Sequence, residues 1–363
     1  MTPFTEASGA SESERSSGFD GHVRKLMTWH FGQDTGSAFW LGKKDLLGFD
    51  PVTDIAGLAD LVRFPDVSDE LRTVPAQDLI PRGLAGRPFR VYDSGGTTGA
   101  PKRIVDSGYR ARILVWARER LIASGVPADG NWLHLGPSGP HVIGFDVSRY
   151  AALGGGVFYT VDLDPRWVKR LLAAGREDEA DDYVQHLLDQ AEIILDSQDI
   201  AVLNTTPPLL EAICARPKLL ARVRDGVRAI VWAGTSISAE SLHQLEEVFF
   251  PGQAVVGIYG NSLMGVAPQR PAAPGDDAYP AVFEPFPETT RLELVDEEGR
   301  LVEYGQRGRV RLHLVAEEMF LPNILERDSA LRLAPGPGST VDGLADIQTY
   351  RALGDVRIIE GVY

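Results

Sequence analysis

Three glycines, two threonines and a lysine crowd into nine residues, Ser94 to Lys102, in the run SGGTTGAPK. Glycines this dense weaken any regular element, so the run reads as a loop. Its backbone N–H groups can turn toward one point, its hydroxyls add donors and Lys102 adds positive charge, which together make a nest for phosphate. It is not a Walker loop, because Lys102 follows Pro101 and precedes neither Ser nor Thr. Two further runs place polar residues at the ends of strand-like segments: VRAIVWAGTSIS, with Gly234, Thr235 and Ser236, and AVVGIYGNSLMG, with Tyr259, Gly260, Asn261 and Ser262. A fourth, YRALGDVRII, offers Asp355, one carboxylate whose two oxygens can accept two hydroxyls. Taken singly, a Tyr-Gly is a β-turn and a Gly-Asp is commonplace; their order along the chain carries the signal.

The elements that must position these residues alternate between strand-like and helix-like from about residue 20, which predicts an α/β fold with mostly parallel strands. NWLHLG, GVFYTVDL, AVLNTT, VRAIVWAG and AVVGIYG read as strands, the fourth as a nearly continuous apolar run suited to a buried parallel sheet. SGYRARILVWARERLIASG, PPLLEAIC and SAESLHQLEEVFF read as helices, the second led by prolines and the third capped by Ser238. Proline-rich sequence over 267–288 marks a lobe boundary, and the alternating TRLELVD and GRVRLHLV beyond it predict a smaller β unit. The expected organisation is a disordered lead-in over 1–20, α/β lobes over 21–266 and a β-rich subdomain over 267–363.

A net charge of −15 argues against nucleic acid as the main partner, which needs a basic face. No run approaches the ~18 apolar residues of a membrane helix, and the N-terminus lacks the basic and apolar regions of a signal peptide, so a cytoplasmic protein is expected. The single cysteine, Cys214, excludes an intrachain disulfide and sits at helical spacing from Leu210 as a core thiol.

With its Pro-Lys ending, the Ser94–Lys102 run resembles the phosphate loop of the adenylate-forming superfamily: acyl-CoA synthetases, luciferases and peptide-synthetase adenylation domains. It is nearest in feel to phenylacetate-CoA ligases. The resemblance implies a large N-terminal domain of two mostly parallel sheets flanked by helices plus a smaller β unit. It implies that Ser94, Gly96, Thr97, Thr98, Gly99 and Lys102 cradle the tail phosphates of ATP, and that Gly234, Thr235 and Ser236 line the adenine. Tyr259, with Gly260 and Asn261, would stack on that ring, Ser262 would meet the α-phosphate, and Asp355 would hold the ribose. Thr98, Lys102 and Ser262 are the implied catalytic residues. The implied reaction is ATP-dependent activation of a small or aromatic carboxylic acid, for transfer to coenzyme A or a carrier protein. Other members of the fold activate an unusual oxyanion such as nitrite or pass the acyl group to an amine, and a non-catalytic nucleotide-binding protein is a third reading.

Two departures stand out. Where the family has a glutamate that helps hold Mg²⁺, this chain has Leu263, which cannot ligate a hard cation. The family also carries a C-terminal lid domain of about 100 residues, whereas this chain stops eight residues past Asp355, so a chain without the lid is expected. The acid pocket is expected from His141, Phe145, Trp232, Gly234 and Met264, with a preference for a compact, flat acid. His134 reads as structural, and Arg149, Arg166 and Lys169 as solvated charge.

Overall fold

Continuous apolar runs can be buried on both faces only inside a parallel sheet covered by helices, and that is where they lie. The structure is a computed structural model describing residues 12–94, 100–272, 276, 278–279 and 281–350. Strands β1 (Arg90–Asp93) and β2 (Arg103–Asp106) pair as an antiparallel hairpin that brackets the glycine-rich run. A six-stranded sheet follows: β3 (Asn131–Leu135), β4 (Phe158–Thr160), β5 (Ile200–Thr205), β6 (Ala229–Ala233), β7 (Ala254–Asn261) and β8 (Gly265–Pro268). Its order is β4-β3-β5-β6-β7-β8, parallel throughout except for β8, which runs antiparallel to β7. Every residue of β5 is buried. The helix Tyr109–Ala123 packs on β8 and on the helix Val142–Leu153, which covers β3 and β4.

The second large sheet comprises β9 (Val282–Phe283), β10 (Thr290–Val295), β11 (Arg307–Val315), β12 (Phe320–Leu333) and β13 (Gly343–Thr349), in the order β10-β11-β12-β13-β9. All its pairings are antiparallel. The α/β class is as expected, but among the described residues one sheet is mostly parallel, not two. The expected boundary at 266/267 falls inside β8, which remains part of the six-stranded sheet.

One irregularity of the antiparallel sheet matters for the site. Arg309 of β11 faces Ser329 and Arg311 faces Leu325, so the single residue Val310 spans the stretch opposite Glu326, Arg327 and Asp328. A bulge of this kind bends its strand and re-aims side chains.

Residues 12–20 are helical, contrary to the expected lead-in: a helix spans Glu12–Phe31. Phe19, Val23, Leu26, Met27 and Phe31 anchor it in the core. Trp29 Nε1 donates to the Glu317 carbonyl at 2.8 Å, and His30 Nε2 lies 2.7 Å from the Ala316 carbonyl. Burial pushes the His30 imidazole down to about 4, so it bonds as the neutral ring.

Candidate functional site

The parallel strands end together, and their C-terminal ends are where an open α/β sheet presents its loops. A cavity of about 770 Å³ lies there, walled on one side by the ends of β3, β5, β6 and β7 and on the other by β12 and β13. Ten of the residues singled out in the sequence line it: Ser94, Lys102, Trp232, Gly234, Thr235, Ser236, Tyr259, Gly260, Asn261 and Ser262. Gly96, Thr97, Thr98, Gly99 and Asp355 lie outside the described residues.

Local geometry explains the placements. Ser94 N–H donates to the Lys102 carbonyl, and Lys102 N–H donates to Ser94 Oγ, both at 2.9 Å; these bonds close the neck of the hairpin. The glycine-rich run thus lies between two paired strands. After β6 the chain turns at Gly234 with φ +94°, a conformation that glycine adopts without strain. After Tyr259 the turn is held by Asn261, whose Oδ1 accepts from the N–H groups of Leu263 and Met264 at 2.9 Å each.

Three expected pocket residues are absent from the wall. The helix Val142–Leu153 turns Val142, Ile143 and Asp146 toward the cavity. Phe145 faces the hairpin instead, 5.8 Å from Tyr92 and 4.6 Å beneath the Arg90 guanidinium. His141 is buried at the N-terminal end of that helix, its imidazole lowered first by burial and then by the Arg166 charge. Met264 packs into the core, 1% exposed.

Other residues, which the sequence does not place at the site, also reach the cavity. Arg110 Nη2 and Nε hold Asp146 at 2.5 and 3.2 Å in a buried pair, and Arg110 Nη1 reaches the Ser262 carbonyl at 3.4 Å. Burial, the largest single influence, would lower the Arg110 guanidinium; the Asp146 and Tyr109 charges and the hydrogen bonds to both together raise it. His134, which the sequence suggests is structural, lines the cavity while its Nδ1 lies 2.7 Å from Asn204 Oδ1 and its Nε2 lies 2.9 Å from the Pro137 carbonyl. Lys169 also lines the wall, on a helix capped by Asp164. Burial, then Arg327 and Arg166, lower its ammonium.

The bulged strand β12 contributes Glu326, Arg327 and Asp328. Tyr259 Oη donates to Asp328 Oδ2 at 2.8 Å. Burial, with the Asp328 and Glu326 charges, pushes that phenol well above its ordinary range, so the proton stays on it. Burial raises the Asp328 carboxyl, against the pull of the Tyr259 bond. Glu326 is pushed up to about 7, chiefly by burial, and its Oε1 is enclosed with no hydrogen-bond partner among the described residues. Leu263, which the sequence resemblance sets against the family's metal-binding acid, has a buried hydrocarbon side chain. Among the described residues no group of three or more His, Cys, Asp or Glu could hold a metal, and no helix is long and apolar enough to cross a membrane.

No family model and no curated protein sequence matches the chain. Solved structures do. An open conformation of 2-hydroxyisobutyryl-CoA ligase, in complex with 2-HIB-AMP and CoA, superposes with a TM-score of 0.67 at 16% identity, over 93% of this chain and 70% of that one. The same ligase in its postadenylation state with R3-HIB-AMP gives 0.66 at 16% identity over 93% and 68%. Its thioesterification state gives 0.63 at 18% identity over 92% and 68%. At these identities the likeness is one of architecture: the chain has the fold of the large domain of an adenylate-forming acyl-CoA ligase.

Proposed function

We propose that the chain binds ATP in this cavity and activates a small carboxylic acid as its acyl-adenylate. Pyrophosphate is released, and the acyl group passes to a thiol such as coenzyme A or a carrier-protein arm. One observation carries the reading: the hairpin neck at Ser94 and Lys102, the turn Gly234–Ser236 and the turn Tyr259–Ser262 all line a single cavity at the ends of the parallel strands. The fold it shares with 2-hydroxyisobutyryl-CoA ligase, solved with an acyl-adenylate and CoA, supports the same ligand classes here.

In the proposed reaction a carboxylate oxygen attacks the α-phosphorus in line. The bond from that phosphorus to the bridging oxygen breaks, and its electron pair leaves with pyrophosphate. The protein positions the groups and neutralises charge. Lys102 and the glycine-rich run, Thr98 included, draw on the departing phosphates; Gly234–Ser236 and Tyr259 hold adenine; Ser262 offers its hydroxyl to the α-phosphate. For the ribose hydroxyls the favoured acceptor is Asp328, because it stands on the cavity wall in a bond to Tyr259. Nucleotide-bound Mg²⁺ is held by one or two carboxylates plus phosphate oxygens, and it would offset phosphate charge. Leu263 has no oxygen to give; Glu326, with its bare Oε1, suits that role.

Incubation with ATP, a panel of short acids and hydroxylamine should yield a hydroxamate and pyrophosphate. Lys102→Ala should weaken ATP binding about 10- to 100-fold, the worth of a charge-assisted contact. ATP binding with no product from any acid would move the reading to a non-catalytic nucleotide-binding protein. No ATP binding at all would end it.

A further inference from the structure

Five polar atoms of the cavity wall are buried without a hydrogen-bond partner among the described residues: Thr205 Oγ1, Trp232 Nε1, Thr235 Oγ1, Asn261 Nδ2 and Glu326 Oε1; of these, Thr205 and Trp232 stand on neighbouring strands of the parallel sheet. Thr205 is 2% exposed and Trp232 4%. They are neighbours by construction. Thr205 of β5 pairs in register with Trp232 of β6, which pairs in register with Gly257 of β7, so both side chains stand on one face of the sheet. Adjacent parallel strands bring such side chains to about 5 Å.

The indole is held in place. A Cβ on Gly257 would fall 2.6 Å from Trp232 Cζ2 and 3.0 Å from Phe283, so only glycine admits the ring in this pose. Phe283 meets it edge-on at 5.9 Å and 87°. An indole N–H can only donate, and a threonine hydroxyl can donate or accept. A buried donor without a partner is costly, and native structures keep few of them. Two side by side on a cavity wall therefore call for an oxygen from a ligand.

The opposite face of the sheet carries His134 against Asn204, already bonded to each other. A hydrocarbon tail would cover Thr205 Oγ1 and Trp232 Nε1 and return no bond to either. We infer that Thr205 and Trp232 form a two-point site for an oxygen substituent of the acid, so that the substrate class is short hydroxy- or oxo-acids. This rests on the proposed adenylation and adds to it a selection that the sequence, which places Trp232 in the acid pocket without assigning it a polar role, does not reveal.

The test uses the full chain and three stable acyl-adenylate mimics, the sulfamoyl-adenosines of propionate, 2-hydroxypropionate and 3-hydroxypropionate, with affinities measured by calorimetry beside that of AMP. At least one hydroxy mimic should bind about ten-fold or more tighter than the propionyl mimic, as expected where a site is built to bond a substrate hydroxyl. Thr205→Val should cut that ratio to about three-fold or less, leave AMP affinity unchanged and leave Tm unchanged or higher, because it removes a buried group that lacks a partner. Trp232→Phe should cut the ratio in the same way, which separates lost donation from any packing fault at Thr205. Neither hydroxy mimic binding tighter than the propionyl mimic would overturn the inference and leave the adenylation reading standing. So would Thr205→Val weakening AMP and all three mimics alike, since the donors would then serve the nucleotide. Failure of AMP and every mimic to bind would overturn the adenylation reading and this inference with it.

Discussion

Two carboxylates at the cavity, the buried Asp146 and the half-buried Glu326 with its enclosed Oε1, are held in opposite ways. Asp146 is gripped by two nitrogens of Arg110 inside the helical layer. Glu326 stands on a bulge of β12 with one oxygen bare; Lys102, Arg327, Asp66 and Asp328 act on it only through space. A buried ion pair with its geometry satisfied is a structural part, and breaking it strands a charge. A buried acid with no partner is poised to take a proton, a cation or a ligand donor. The helical end of the cavity is therefore rigid scaffold, and the β12 end holds the adjustable charge.

The largest expected effect breaks the first half of that contrast. Arg110→Met leaves Asp146 buried with no counter-charge and should cost about 3–5 kcal/mol in chemical denaturation. The double variant Arg110→Met, Asp146→Leu should recover much of the loss, because similar-volume apolar replacement of an ion pair is often neutral. A single-variant cost under about 1 kcal/mol would mean that the pair is not the scaffold it resembles.

The second prediction addresses Glu326. Its folded value of about 7 lies above the ordinary 4.5, so between those values the folded chain binds more protons than the unfolded one. Stability from this group is present below pH 4.5 and is lost as pH rises through 7, by up to about 3 kcal/mol. Glu326→Gln keeps the shape and removes the titration. Denaturation from pH 5 to 8 should show the variant gaining on the parent as pH rises. Parallel pH profiles would show that Glu326 is no less satisfied than Asp146.

What the sequence reveals follows the same division. The parallel strands are legible because burial on both faces leaves unbroken apolar runs such as AIVWA, and the polar residues at their tips keep a recognisable order. The β12 wall is not legible. The bulge that turns Glu326 and Asp328 inward exists only in the pairing of β11 with β12, and ILERDS looks like any strand with charges on it. His141 and Phe145 illustrate a finer limit. Which side of a helix faces a cavity depends on where the helix starts, and a one-residue error exchanges Phe145 for Asp146. The helix Glu12–Phe31 is hidden by its Ser- and Gly-rich opening, although Phe19, Val23, Leu26 and Met27 supply the apolar spacing that anchors it.

The smallest expected effect sharpens the contrast within the β12 end, where Asp328, unlike Glu326, has a partner. Tyr259→Phe removes only the hydroxyl that donates to Asp328 Oδ2. That bond lowers the Asp328 carboxyl against burial, so without it the carboxyl should rise further from its already raised position. The bond favours the charged form, so its loss should cost about 1–2 kcal/mol at high pH, where Asp328 is ionised, and less as pH falls and the carboxyl takes up its proton. Denaturation of parent and variant at two pH values measures the difference directly. A penalty that stays the same at both would assign the Tyr259 hydroxyl to packing and leave Asp328 as unsupported as Glu326.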